Sequence, residues 1–215
     1  MSPAKTSSAP SRGRIDKREA ILSAAFTVFA RQGYAQACVK EIAKEAGVAK
    51  PTVYNHLTDK ANLFREAMTA AADRSLAESL AVIETLTVPR DDDLRALLED
   101  VGFRLLKVHG DPRSCALRRL VYAEVSWAPD LLDAVQGRGS DRITEALADR
   151  MARLSLAGRL RQADPVQAAE QFLALLTGPV ATRTRMGTRD ATDEELREVT
   201  QAAVDTFLRA YTPVA

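Results

Sequence analysis

The chain has 215 residues, with 30 Lys and Arg against 29 Asp and Glu, 46% hydrophobic residues and 5% aromatic ones. This size allows one large or two small domains, and the balance is ordinary for a chain that buries a full core. No apolar run approaches the length of a bilayer span and no apolar leader opens the sequence, which predicts a cytoplasmic protein without a membrane anchor. The near-neutral total hides a polarity, because residues 1–60 carry ten basic against five acidic side chains and the remainder twenty against twenty-four. A basic end and an acidic body suit a molecule that lays one end on phosphate and keeps the other off it.

Residues 1–13, MSPAKTSSAPSRG, predict a disordered tail. Arg12 and Arg14 stand where a basic arm would enter a minor groove, although a solvated leader has the same composition. A first helix is predicted from Lys17 to Gln32, with Asp16 and Glu19 as a capping-box-like start and Gly33 as its stop. Its buried stripe is Ile21, Leu22, Ala25, Val28 and Phe29.

The stretch from Cys38 to Lys60, CVKEIAKEAGVAKPTVYNHLTDK, reads as two short helices joined by a tight turn. Val39, Ile42, Ala43 and Ala46 give one apolar face, Gly47 supplies the left-handed backbone that ends a helix, and Val48 is a single apolar plug. Pro51 sits where a first helical turn tolerates a missing N–H. Val53 and Leu57 anchor the second helix, leaving Lys50, Pro51, Thr52, Tyr54, Asn55 and His56 as candidate DNA-contacting residues. This is the pattern of a helix-turn-helix, and an ordinary surface hairpin is the plainer alternative.

Thr58 or Asp59 can cap a long fourth helix from Lys60 to Leu86, with Leu63, Phe64, Ala67, Ala70, Ala71, Leu76, Leu80 and Ile83 inward. Such a helix predicts one rod from the DNA surface into the body. Asp91, Asp92 and Asp93 then precede a helix over 93–108, and read as an acidic first turn complementing the helix dipole rather than as a cation site. Further helices are predicted at 112–126, 129–136 and 139–157, with breaks at Pro129 and at the Gly137/Gly139 pair. Two more follow at 165–186 and 193–210. No strand-period alternation occurs, so the predicted fold is all-α.

From Arg14 to Phe64 the chain resembles the TetR family of bacterial transcriptional regulators. The resemblance rests on Gly33-Tyr34, Ile42-Ala43, Ala46-Gly47-Val48, Thr52-Val53-Tyr54, Lys60 and Leu63-Phe64. The later segments LVYAEVSWAPDLLDAV, AGRLRQADPVQAAEQFLALLTGP and VDTFLRAY resemble the effector domain of the AcrR/AefR-like branch. The sequence departs from the family pattern at Ala37 and Cys38, where Thr or Ser usually caps the second helix. It departs again at Ala49, Pro51 and Leu57, where Ser, Gly and an aromatic are usual.

The resemblance implies a three-helix DNA-binding domain over 14–60 and an effector-binding and dimerisation domain over 61–215. It implies a homodimeric repressor of double-stranded operator DNA, released by a small-molecule effector, with no metal or other cofactor. A ligand-independent regulator or an activator is the alternative, and an enzyme a remote one, since no phosphate loop, nucleophile elbow or metal-ligand spacing is present. A pairing of Glu124 with Arg118 or Arg119 reads as helix-surface contact rather than acid–base chemistry. The family's roles place Lys50, Pro51 and Thr52 near bases, Tyr54, His56 and Lys60 on phosphate, and Asn55 on either. Candidate effector contacts are Phe103, Leu106, Tyr122, Trp127 and Phe172, each of which reads more plainly as core, with Arg104 and His109 able to orient a polar ligand although a lone histidine near a helix end is usually structural. Candidate dimer contacts are Phe172, Leu176, Val199, Ala203 and Phe207, with the plainer alternative that the same faces cover the body's own core. Cys38 and Cys115 predict reduced thiols, with a redox role for either left open.

Overall fold

The computed structural model describes residues 12–89, 93–126, 128–185 and 187–213, and of residues 12–14, 134, 136 and 138 it describes the backbone. The predicted tail up to residue 11, Asp91, Asp92 and Trp127 therefore lie outside the described residues. So do the side chains of Arg12 and Arg14. All regular structure among the described residues is helical. The chain divides into two compact units, one up to Ala70 and one from Ala71 onward. The division falls ten residues beyond the expected boundary at residue 60, because Leu63, Phe64, Ala67 and Met68 are buried at or below 1% exposure with the apolar residues of the first unit.

In the first unit, α1 (Arg12–Gln36), α2 (Val39–Glu45) and α3 (Lys50–His56) precede the start of α4 (Lys60–Glu84). α1 begins at Arg12 rather than at the expected Lys17, so Asp16 lies inside the helix and caps nothing. The stop is where the sequence places it. Gly33 takes φ 77° and ψ 167°, an extended left-sided conformation that breaks the helical path before Tyr34. Around it Phe29 meets Phe64 edge-on at 5.0 Å between ring centroids, and Tyr34 meets Phe64 at 5.0 Å. The ion pair Arg18–Glu66 spans 2.6 Å but both side chains are about 40% exposed, and such pairs contribute roughly 0–1 kcal/mol. Apolar burial, not this pair, holds the unit.

The second unit contains the rest of α4, then α5 (Leu94–Gly110), α6 (Pro112–Glu124), α7 (Pro129–Leu132), α8 (Arg138–Leu156), α9 (Pro165–Arg183) and α10 (Asp193–Tyr211). The starts of α5, α6, α9 and α10 are set by side-chain caps: Asp93, Asp111 and Asp164 each accept from backbone N–H groups within the first turn, and Thr192 with Glu195 closes a reciprocal capping box. Asp93 thus serves as a cap. The break expected at Gly137/Gly139 does not occur. A π-helical turn over Asp133–Gly137 joins α7 to α8 instead, since a helix interior accepts glycine at a cost of only about 1 kcal/mol.

The core of this unit is built from the end of α4 with α5, α8, α9 and α10, and it holds the five residues expected at a dimer surface. Phe172, Leu176, Val199, Ala203 and Phe207 are 0–3% exposed within the single chain. An amphipathic stripe specifies burial but not whose surface does the burying, and here the chain's own helices do it. α5 fits closely because position 102 is glycine. A Cβ there would lie 3.0 Å from Thr200 Cγ2 and 3.2 Å from Leu176 Cδ2.

Candidate nucleic-acid interface and cavity

The turn between α2 and α3 is a Schellman closure. Gly47 has φ 65°, its N–H donates to Lys44 C=O at 3.2 Å, and Val48 N–H donates to Ala43 C=O at 2.9 Å. Neither helix has a side-chain cap at its start: Cys38 and Ala49 occupy those positions and make no capping hydrogen bond. Val53 and Leu57 are buried, at 1% and 3% exposure, and fix which side of α3 faces inward. Lys50, Pro51, Tyr54 and Asn55 are consequently exposed, with Thr52 and His56 half-buried beside them. Lys50 Nζ stands 5.8 Å from the centre of the Tyr54 ring one turn on, so a cation and an amphipathic ring share one outward face.

Lys60 is more constrained than its sequence position suggests. Its Nζ donates to Ala35 C=O at 3.1 Å and lies 4.7 Å over the Tyr34 ring. The ammonium still has further N–H donors for an anion, but the side chain also ties the start of α4 to the end of α1.

The second unit carries a cavity of about 540 Å³, open on one side, lined by α5, α6, α9 and the segment after α9, including His109, Cys115, Arg118, Arg119, Tyr122 and Thr177. A second cavity of about 380 Å³ shares His109, Arg118, Tyr122 and Thr177 with it and extends to Leu76, Leu117, Val135, Ile143 and Leu173. Both lie in the size range of small-molecule sites. Helix irregularities shape both: Pro179 sits inside α9 beside the lining residues Gly178 and Val180, and the π turn carries Val135. Gly187, at φ 78°, covers Cys115 so closely that a Cβ there would meet its Sγ at 3.1 Å.

Of the expected effector contacts, Tyr122 and His109 line these cavities. Leu106 and Phe172 do not, being fully buried core. Phe103 stacks under the Arg197 guanidinium at 4.8 Å on a separate shallow depression. Arg104 pairs with Asp100 at 3.1 Å and with Thr85 Oγ1 at 3.2 Å and lines neither cavity. Sequence reasoning set Arg118 and Arg119 aside as surface helix residues and missed Cys115, Thr177, Thr184 and Gly187. The one signal available was Gly178-Pro179 inside an otherwise apolar helix.

Burial, reinforced by the Arg118 guanidinium, lowers the His109 imidazole from 6.5 to about 4. Between those values the unfolded chain takes up a proton that the folded chain refuses, so stability rises with pH. It is fully present above pH 6.5 and is lost as the pH falls towards 4. The expected loss is about 3 kcal/mol, read by urea denaturation across this range, and His109→Gln should remove that part of the slope. An unchanged slope in the variant would assign it to other groups.

The first unit thus presents an outward polar helix after a tight turn, and the second a pair of open cavities among its helices. Residues 21–67 match the profile described as bacterial regulatory proteins, tetR family, and residues 96–213 match that of the AefR-like transcriptional repressor C-terminal domain. The chain belongs to the TetR family, with an AefR-like C-terminal domain. It is similar to FasR of Mycolicibacterium smegmatis, named a transcriptional activator, with 35% identity over 86 residues covering 40% of this chain and 39% of FasR. In structure it is similar to a TetR-family regulator from Mesorhizobium loti, 29% identical with a TM-score of 0.86 over 95% of this chain and 100% of that one. It is also similar to the flavonoid-responsive regulator FrrA, 28% identical with a TM-score of 0.67 over 93% and 99% of the two chains. Among the described residues, no helix is long and apolar enough to cross a membrane.

Proposed function

We propose that the chain is a homodimeric cytoplasmic repressor that reads a palindromic operator with α3 and leaves it when a small molecule fills the cavity of the second unit. The observation that carries this reading is the pairing of an exposed Lys50–Tyr54–Asn55 face on a Schellman-turned recognition helix with a separate, hollow helical unit. A DNA-binding module alone has no use for such a cavity, and a catalyst has no use for such a helix. The wall of the smaller cavity includes Leu76 of α4, the helix that begins at Lys60. Ligand and DNA would then oppose each other with a coupling of about 1–3 kcal/mol, reciprocal by thermodynamic necessity.

Twofold pairing would place two copies of α3 in successive major grooves about 34 Å apart. With the five core residues unavailable, we assign the pairing surface to the other side of α9, where Ala174 and Gly178 are exposed and Leu173 and Leu175 half-buried. FasR, named an activator, supports a second reading in which the bound regulator promotes transcription. Footprinting with transcription from the bound promoter separates the two.

The DNA-binding assignment is tested by two substitutions on a duplex recovered by unbiased selection. Lys50→Ala should cost about 1–3 kcal/mol and shift preference between sequences. Lys60→Ala should weaken all sequences alike and reduce the salt slope by about 1. Because Lys60 also holds Ala35 C=O, a thermal melt accompanies the second variant. Equal losses on every sequence for Lys50→Ala would remove it from base readout.

A further inference from the structure

The two cavities of the second unit have a strongly one-sided charge. Among the described residues their linings contain the guanidinium groups of Arg118 and Arg119 and no carboxylate. Arg118 uses Nη2 on His109 C=O at 2.8 Å and on Cys115 Sγ at 3.3 Å, while its Nε and Nη1 have no partner among the described residues. Arg119 donates from Nη1 to Gly187 C=O, which leaves the rest of its fork likewise open. The hydroxyls of Thr177 and Thr184 donate back to Leu173 C=O and Val180 C=O, and those of Ser75 and Ser114 meet each other. The arginines are therefore the strong open donors. A guanidinium stays charged at any physiological pH, and its planar fork matches a carboxylate through two parallel hydrogen bonds. Against apolar walls, a charge without a counter-ion favours an anion from solution.

Most of the lining surface is hydrocarbon. Val180 and Ala181 line the larger cavity, and Leu76, Leu117, Val135, Ile143 and Leu173 line the smaller one beyond Tyr122. Resting on the reading of this unit as an effector domain, we propose that it binds an amphipathic carboxylate. The carboxylate lies on the Arg118–Arg119 pair, and an aliphatic or alicyclic body passes Tyr122 and Thr177 into the smaller cavity. A neutral or cationic amphiphile of the same length lacks the head-group contact and meets two positive charges in its place.

The test uses the full chain with decanoate, decanol and decyltrimethylammonium, each below its micelle concentration, by calorimetric titration and thermal shift. Decanoate should raise the melting temperature and bind at least about tenfold tighter than the other two. Arg118→Gln and Arg119→Gln should each weaken decanoate about tenfold or more. Ile143→Phe, which fills the smaller cavity, should weaken decanoate more than hexanoate. If Arg118→Gln fails to fold, Arg119→Gln, at the exposed side, carries the head-group test. Equal binding of all three amphiphiles, or no effect of Arg119→Gln, overturns the proposal. So does an absence of decanoate binding by a protein that still binds its selected duplex, which leaves the DNA-binding reading standing. Decanoate binding that leaves duplex affinity unchanged upholds the ligand class and overturns ligand release.

Discussion

Phe64→Ala will destabilise the first unit by about 3–5 kcal/mol and abolish duplex binding. Phe64 is 0% exposed and packs edge-on against both Phe29 and Tyr34. Each such aromatic pair contributes about 0.5–1.5 kcal/mol beyond the area it buries, and truncation leaves both neighbours facing a void. A unit this small has little reserve, because it buries a smaller fraction of its surface than a larger domain does. The loss therefore removes most of its stability, and α3 with it, although Phe64 is buried away from solvent. Circular dichroism melts and gel-shift titrations check the result together. A variant that melts like the parent would show that the ring cluster is not what holds the recognition helix in place. Phe64→Leu, which keeps most of the volume, should restore binding.

Phe207→Ala is expected to cost the second unit a similar amount, about 3–5 kcal/mol, and to do so independently of protein concentration. Phe207 is fully buried, with Phe172 at 5.1 Å and 67° on one side and Tyr211 stacked at 4.6 Å on the other. Tyr211 is itself held, its hydroxyl donating to Gln171 Oε1 at 2.8 Å and its ring lying 5.0 Å from the Arg161 guanidinium. The contacts are all made within one chain. Urea midpoints measured at two concentrations an order of magnitude apart should show the same decrement relative to the parent. A decrement that shrinks as concentration rises would return Phe207 to an interface between copies.

What the sequence revealed and what it concealed follow from the range of the interactions. The α2–α3 turn was legible because its determinants are local: a glycine in the left-handed region, an apolar period and a proline in the first turn all act within a few residues. The starts of α5, α6, α9 and α10 were legible for the same reason, their caps being Asp or Thr next to the helix they start. The inward face of α10 was readable as a stripe, yet nothing within that stripe distinguishes a neighbouring helix of the same chain from one of a second copy. The cavities were harder still. They arise where side chains from five helices fail to meet, near a proline inside α9 and a π turn before α8, and a missing volume has no periodicity. Arg118 and Arg119 looked like two more solvated charges on a helix, because only tertiary packing brings them to a wall without carboxylates.

The two thiols stand in contrasting surroundings. Cys38 is exposed at the start of α2, whereas Cys115 is buried beneath the Gly187 backbone. The native chain thereby carries a single readily accessible attachment point for a fluorophore or spin label, one residue before the helix that precedes the recognition helix. Movements of the reading head can be followed from that point without engineering a new cysteine.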